Sequence, residues 1–269
     1  MHKILRYLFL ALAALVFIYP FLWMLSATLR PENEIGGLDI FPSQVTLHSY
    51  LTVFEKIPLL RAFANSLFVS LTVVASVLLF GSLTGFALAR LQFRGRNLIF
   101  MLVLLTMVIP VQLILIPLYI LMVKLGWVDT YLALIVPYGI NALGVLMFRQ
   151  AFKTIPQDVM DAARIDGASE FSILFRIFWP LSVPTLITVA ILTFMGVWNE
   201  TLWPILAIRN SELMVMPQLV ALFVTGGAAE SQLGVQLAAA MLLALPIVIA
   251  YAFFQKYFIA SMAATGLKE

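Results

Sequence analysis

None of the 269 residues is cysteine, so neither a disulfide framework nor a thiolate metal site can form. Charge is nearly as scarce. Only 11% of the chain is charged, against about 25% in ordinary soluble domains. Hydrophobic residues make up 63%, more than one soluble core of this length could hide. The chain therefore reads as an all-α integral membrane protein. His2 and His48 are the two histidines, far apart and expected on opposite sides of the membrane, which excludes a shared metal site. No glycine-rich loop ending in Gly-Lys-Ser or Gly-Lys-Thr is present, so the chain cannot hydrolyse ATP itself. The centres of the apolar runs also lack ionisable residues. A proton- or sodium-driven carrier usually places such groups at mid-membrane, so their scarcity argues against a secondary carrier.

What remains is a series of long apolar runs. Six spans are expected, at about residues 4–29, 66–89, 98–123, 131–148, 183–207 and 234–258, since about 20 residues cross a bilayer. The first is too long for the core of a signal peptide and reads as a retained anchor. A polar external loop over 30–65 should carry a short helix near 47–54. Gly81 and Gly85 have the small-xxx-small spacing that lets a second helix approach closely. Pro110 and Pro117 should kink the third span. Trp23, Trp127, Trp198 and Trp203 fall near span ends, as interfacial anchors would. The net charge of +3 is no sign of nucleic acid, because the basic residues sit in short connections. With the N-terminus inside, eleven of the 16 Lys and Arg are cytoplasmic, including Arg90, Arg94, Arg96, Arg149 and Lys153. Both termini are therefore expected in the cytoplasm.

The segment 156–184 is the longest polar interruption in the second half of the chain. Val159, Ala162, Ala163 and Ile165 can form one apolar stripe on a helix over 157–166. Gly167 supplies the freedom for a sharp bend, and Ser169 is a suitable N-cap for a second helix. Phe171, Leu174, Phe175 and Phe178 should line one side of that second helix until Pro180 interrupts it. Asp161-Ala162-Ala163, then Gly167, Ile177 and Trp179-Pro180 stand at fixed intervals. An amphipathic helix resting among headgroups would share this composition but not the spacing.

That spacing resembles the EAA loop of the membrane-spanning subunits of bacterial ABC importers, with Asp161 replacing the family's glutamate and Trp179 its leucine. The segment PFLWMLSATLR (20–30) followed by Pro31 and Glu32, together with Trp198-Asn199-Glu200, is similar to the carbohydrate-type, maltose G-like subfamily. The tail over 258–269 is similar more loosely. The resemblance implies a type I importer fold with a core over 61–258, and a chain that is a transport subunit rather than an enzyme. It also implies a bacterial or archaeal cytoplasmic (inner) membrane. The implied partners are a second related permease in a heterodimer, two cytosolic ATPase subunits, an extracytoplasmic solute-binding protein and membrane lipid. The cargo would be a carbohydrate; the sibling readings are a polyol, a glycerol phosphate or an amino acid. No cofactor is implied in this chain, ATP and Mg being bound by the ATPases. On this reading Asp161, Ala162, Ala163, Gly167, Ile177 and Pro180 belong to an ATPase-coupling loop over 156–180. Glu200 lies about 25 Å along the fifth span at 1.5 Å per residue, so Asn199 and Glu200 would border the outer end of the translocation pathway or form a solvated helix end.

Overall fold

Helix follows helix along the chain, and no strand occurs among the described residues. The structure is a computed structural model that describes residues 2–37, 41–227, 229 and 232–266, giving 2–4, 254 and 256–266 only as parts of helices. Residues 267–269, at the end of the tail over 258–269, lie outside the described residues. The chain forms two compact units, one of Met1–Ala62 with Met216–Ile249 and one of Phe63–Val215 with Ala250–Glu269.

In the first unit, α1 (His2–Thr28) is apolar throughout, with Leu5, Phe9, Phe17 and Phe21 all exposed, as a membrane span requires. The following loop folds back on the helix end. Trp23 Nε1 donates to Gly37 O at 2.8 Å, and the Thr28 and Tyr50 hydroxyls share a bond of 2.9 Å. Helix α2 (His48–Lys56) lies at the expected place.

The second unit is built on α3 (Leu59–Arg90), a 32-residue span with one widened turn at Val77–Gly81. The third expected span is not a kinked helix. It is broken into α4 (Arg96–Thr106) and α5 (Val111–Leu125), bent by 101°. Pro110 precedes α5 as its N-cap. It lacks an N–H and holds the residue before it away from helical geometry, so a full break forms at this point. Pro117 is accommodated inside α5.

Next come α6 (Tyr131–Ile135), a tight 3-10 turn at Val136–Tyr138, and α7 (Ala142–Thr154), whose N-cap Asn141 accepts from Gly144 N at 2.7 Å. Helices α8 (Gln157–Ile165), α9 (Glu170–Leu181), α10 (Val183–Trp198) and α11 (Leu202–Ala207) complete the unit, with α9 and α10 bent by 86°. The fifth expected span therefore ends at Trp198, and residues up to 207 belong to a separate short helix.

Returning to the first unit, α12 (Met216–Thr225) is largely buried, although the region 209–232 reads as a polar connection. Helix α13 (Leu233–Gly266) is the last. Glu32 accepts from the backbone N–H groups of Leu233 and Gly234 at its start, the latter at 2.9 Å. A carboxylate there complements the helix dipole. Four helices are long and apolar enough to span a membrane, and the two bent pairs raise that to as many as six.

The core of the second unit lies where α3 and α7 cross. A Cβ on Gly85 would stand 2.6 Å from Phe148 Cβ and 3.0 Å from Arg149 N, so only glycine permits this approach. Gly81 meets the same helix, its Cβ position lying 3.6 Å from Phe148 Cδ2. Phe86, Phe148, Phe152 and Phe178 fill the crossing. Phe86 stands edge-on to Phe178 at 5.1 Å, and Phe148 stacks on Phe152 at 5.6 Å. Such pairs contribute about 0.5–1.5 kcal/mol each beyond the area they bury.

Candidate functional site

The segment 156–180 folds as two helices meeting at a glycine. Helix α8 ends in a Schellman arrangement: Ala168 N–H bonds to Ala163 O at 2.9 Å and Gly167 N–H to Arg164 O at 3.0 Å. Gly167 takes φ +80 with no atom within 4 Å of where a Cβ would be, so the demand for glycine is purely conformational. Ser169 then accepts from Ser172 N at 3.3 Å as the N-cap of α9. A brace crosses the elbow. Arg164 Nη2 lies 2.7 Å from Glu170 Oε1, and its Nε donates to the same oxygen at 2.9 Å.

The faces of these helices differ from the expected stripe. Met160 and Ala163 are buried in the core, with Val159 packed beside them. Ile165 is 86% exposed, and Ala162, Asp158 and Asp161 are exposed with it. Asp158, Ala162 and Ile165 share one outward face at spacings of four and three. Of the expected Ala-Ala pair, only Ala162 is therefore presented to a partner. Asp161 accepts from Gln157 Nε2 at 3.0 Å and stands 3.7 Å from Arg164 Nη1, so its short carboxylate is used within α8.

In α9, Ile173, Leu174 and Phe178 are buried, Phe175 and Ile177 partly so, and Phe171 is 66% exposed. A widened turn at Leu174–Phe178 shifts the register and removes Phe171 from the expected side. Pro180 does not stop the helix. Trp179 N–H reaches back five residues to Leu174 O, which widens the turn ahead of the proline ring, and the helix runs on to Leu181. The break comes at Ser182.

Two residues that the sequence reading left out wire this loop to the spans. Arg90, read only as a topology marker, donates from Nε and Nη2 to Phe152 O at 3.0 and 2.6 Å. Its Nη2 also reaches Ile155 O, and its Nη1 donates to Gln157 Oε1 at 3.0 Å. The guanidinium lies 5.5 Å from the Phe178 ring centroid. One side chain thus joins the end of α3 to the end of α7 and the start of α8. Trp179 Nε1 donates to Ser82 Oγ on α3 at 3.1 Å, so the family's departure from leucine adds a tie that leucine could not make. The only available signal for Arg90 was its place immediately after an apolar run.

A second place of interest surrounds Glu200. Its Oε1 accepts from Trp203 N at 3.1 Å and so caps α11, while Asn199 Nδ2 donates to Met195 O at 2.8 Å. Glu200, Tyr138, Ser66 and Ser70 border a cavity of about 20 Å³ for the centre of a water-sized sphere. Holding one water takes about 10–15 Å³, so the space suits one small polar group and not a sugar ring. Ser70 Oγ is buried there without a hydrogen-bond partner among the described residues. Trp198 and Trp203 are fully buried rather than interfacial. Trp203 Nε1 donates to Ala133 O at 2.8 Å, which satisfies the indole inside the protein.

Residues 77–263 match the family described as "Binding-protein-dependent transport system inner membrane component". The chain is 37% identical over 263 residues to the arabinooligosaccharides transport system permease protein AraQ of Halalkalibacterium halodurans, covering 96% of this chain and 94% of that one. It is 32% identical over 262 residues to the trehalose/maltose transport system permease protein MalG of Thermococcus litoralis, again covering 96% and 94%. Among solved structures, a chain from a bacterial ABC transporter involved in the import of the acidic polysaccharide alginate superposes with a TM-score of 0.82 at 25% identity, over 96% of both chains.

Proposed function

This chain belongs to the family of binding-protein-dependent transport system inner membrane components, the permeases of ABC importers, and we propose that it carries a sugar or oligosaccharide. The transport systems named for its relatives, for arabinooligosaccharides and for trehalose and maltose, support a carbohydrate cargo. The chain would form half of the translocation pathway, paired with a second permease and supplied by an external binding protein. Two cytosolic ATPase subunits would bind ATP and Mg and supply the force. Both termini would then be cytoplasmic, in a bacterial or archaeal inner membrane, with a transport core over 61–258.

The observation that carries the coupling role is the outward face of α8. Asp158, Ala162 and Ile165 form an exposed apolar and acidic strip on an arm that Arg90 and Trp179 fasten to the spans. We assign this strip to the ATPase contact, with Asp161 and Gly167 shaping the arm and Ile177 and Pro180 on its return. Asn199 and Glu200 would border the outer part of the pathway. Movement of a docked ATPase would reach α3 and α10 through the arm.

The test is reconstitution with the ATPase and binding protein, reading substrate-stimulated ATP hydrolysis and uptake of labelled maltose and arabino-oligosaccharides. Gly167→Val should insert normally, because no apolar span changes, yet lose uptake. A non-glycine residue in this backbone region costs about 1–3 kcal/mol, and β-branching adds to it. Gly167→Asn, which tolerates the conformation, should recover much of the activity. Normal coupled transport in both Gly167→Val and Ile165→Asp would refute the coupling role, and uptake of neither sugar would redirect the cargo assignment.

A further inference from the structure

Cations gather in the second unit where α3, α4 and α7 end. Arg94 and Arg96 lie in the short connection before and at the start of α4, and Arg149 and Lys153 are one turn apart on α7. Arg96 is within electrostatic reach of both Arg149 and Lys153. Among the described residues, none of the four pairs with a carboxylate, whereas Arg164 meets Asp161 and Glu170. Their contacts are neutral. Arg96 Nη1 donates to Leu91 O at 3.2 Å, Arg149 Nε donates to Leu88 O at 3.3 Å, and the Arg149 guanidinium lies 3.6 Å from the Phe100 ring centroid. Arg94 and Lys153 are exposed. Beside them an open depression of about 400 Å³ is lined by Gln92, Arg96 and Asn97 among others.

Like charges one helical turn apart repel each other, so an anion supplied from outside would relieve them. What distinguishes this cluster from a soluble-phosphate site is the surface running away from it. Leu98, Met101, Leu102 and Leu105 follow along α4 at spacings of three and four, each just over half exposed (51–55%). One face of a single helix thus begins at a cationic patch and continues as an apolar track. A phospholipid has that same succession, a phosphodiester followed by acyl chains. We infer that the α3–α4 corner with the end of α7 is a binding site for an anionic phospholipid, its headgroup on Arg94, Arg96 and Lys153 and its chains along α4.

The purified protein is titrated with dimyristoyl phosphatidylglycerol, with dimyristoyl phosphatidylcholine and with inorganic phosphate, and bound species are counted by native mass spectrometry. Phosphatidylglycerol should be retained in preference to phosphatidylcholine and should resist displacement by inorganic phosphate. The double variant Arg94→Gln with Lys153→Gln should weaken retention about tenfold or more, since each surface cation adds to the attraction. Lys124→Gln should leave it unchanged. Arg94→Lys with Lys153→Arg keeps both charges and should keep the lipid. Equal retention of the two lipids would overturn the inference. So would displacement by inorganic phosphate, undiminished binding in the uncharged pair, or loss in the charge-conserving pair.

Discussion

Replacing Arg90 by glutamine should detach the cytoplasmic arm from the spans while leaving the spans themselves folded. Arg90 bonds to Phe152 O, Ile155 O and Gln157 Oε1. Phe152 is among the last four residues of α7, whose carbonyls have no donor within the helix. A hydrogen bond to a charged group contributes about 1.5–3 kcal/mol, and a stranded buried acceptor costs about 1–3 kcal/mol. These terms share one side chain and do not add, so about 3 kcal/mol is a reasonable total for the corner. At about 1.4 kcal/mol per tenfold, the start of α8 should open about 100 times more often. Hydrogen exchange by mass spectrometry reads this directly, as faster exchange of the amides of 158–165 with unchanged exchange in the upper half of α3. Arg90→Lys keeps the charge but not the fork, and should fall between the two. In the reconstituted transporter, Arg90→Gln should raise the ATP hydrolysed per substrate moved. Unchanged protection of α8 in Arg90→Gln would refute the account of the corner, and unchanged stoichiometry despite lost protection would refute its link to transport.

Gly85→Ala places a methyl group 2.6 Å from Phe148 Cβ. It should cost about 1–3 kcal/mol by overpacking, seen as a lower melting temperature, and an unaltered melt would mean that α3 and α7 part easily. Glu200→Gln keeps an acceptor for Trp203 N, so the fold should persist; unchanged uptake kinetics would remove Glu200 from the pathway. The Asp129 carboxylate is held below its ordinary range, chiefly by the backbone N–H groups of Arg209 and Asn210. Its contribution to stability is therefore complete above the ordinary aspartate range and lost as pH falls through the lowered value; Asp129→Asn should flatten that acid limb, and an identical limb in the variant would exclude this carboxylate as its source. Because the chain has no native thiol, single cysteines in Gly95→Cys and Ser169→Cys should react only from the cytoplasm and Gly37→Cys only from outside, and labelling of Gly95→Cys in intact cells by an impermeant reagent would invert the topology.

Apolar runs and glycine spacing were legible in the sequence because each depends on one residue type at one interval. The α3–α7 contact at Gly81 and Gly85, the elbow at Gly167 and the cap at Ser169 all lie where local chemistry puts them. The inward face of α8 was not legible. Met160 and Ala163 turn inward while Ile165 turns out, which is decided by the partners around the helix and not by its own periodicity. Trp203 was misplaced for the same reason: a buried indole needs one acceptor, and Ala133 O comes from a helix about seventy residues away. Arg90 was visible as a charge, but its role depends on carbonyls stranded at a helix end that only the fold brings near.

The widened turns in α3 and α9 have a consequence for chain length. Each is directly followed by one partner of a single bond: Val77–Gly81 by Ser82, and Leu174–Phe178 by Trp179. A widened turn amounts to one surplus residue stored in a helix. Deleting a residue from 174–178 would let α9 close into regular geometry, losing no helix, yet turn everything beyond it by about 100° and draw it back about 1.5 Å. Trp179 would then face away from Ser82. A second deletion in 77–81 turns Ser82 about a different axis, so it does not restore the meeting. The two helices can therefore exchange many side chains but cannot change their count by one.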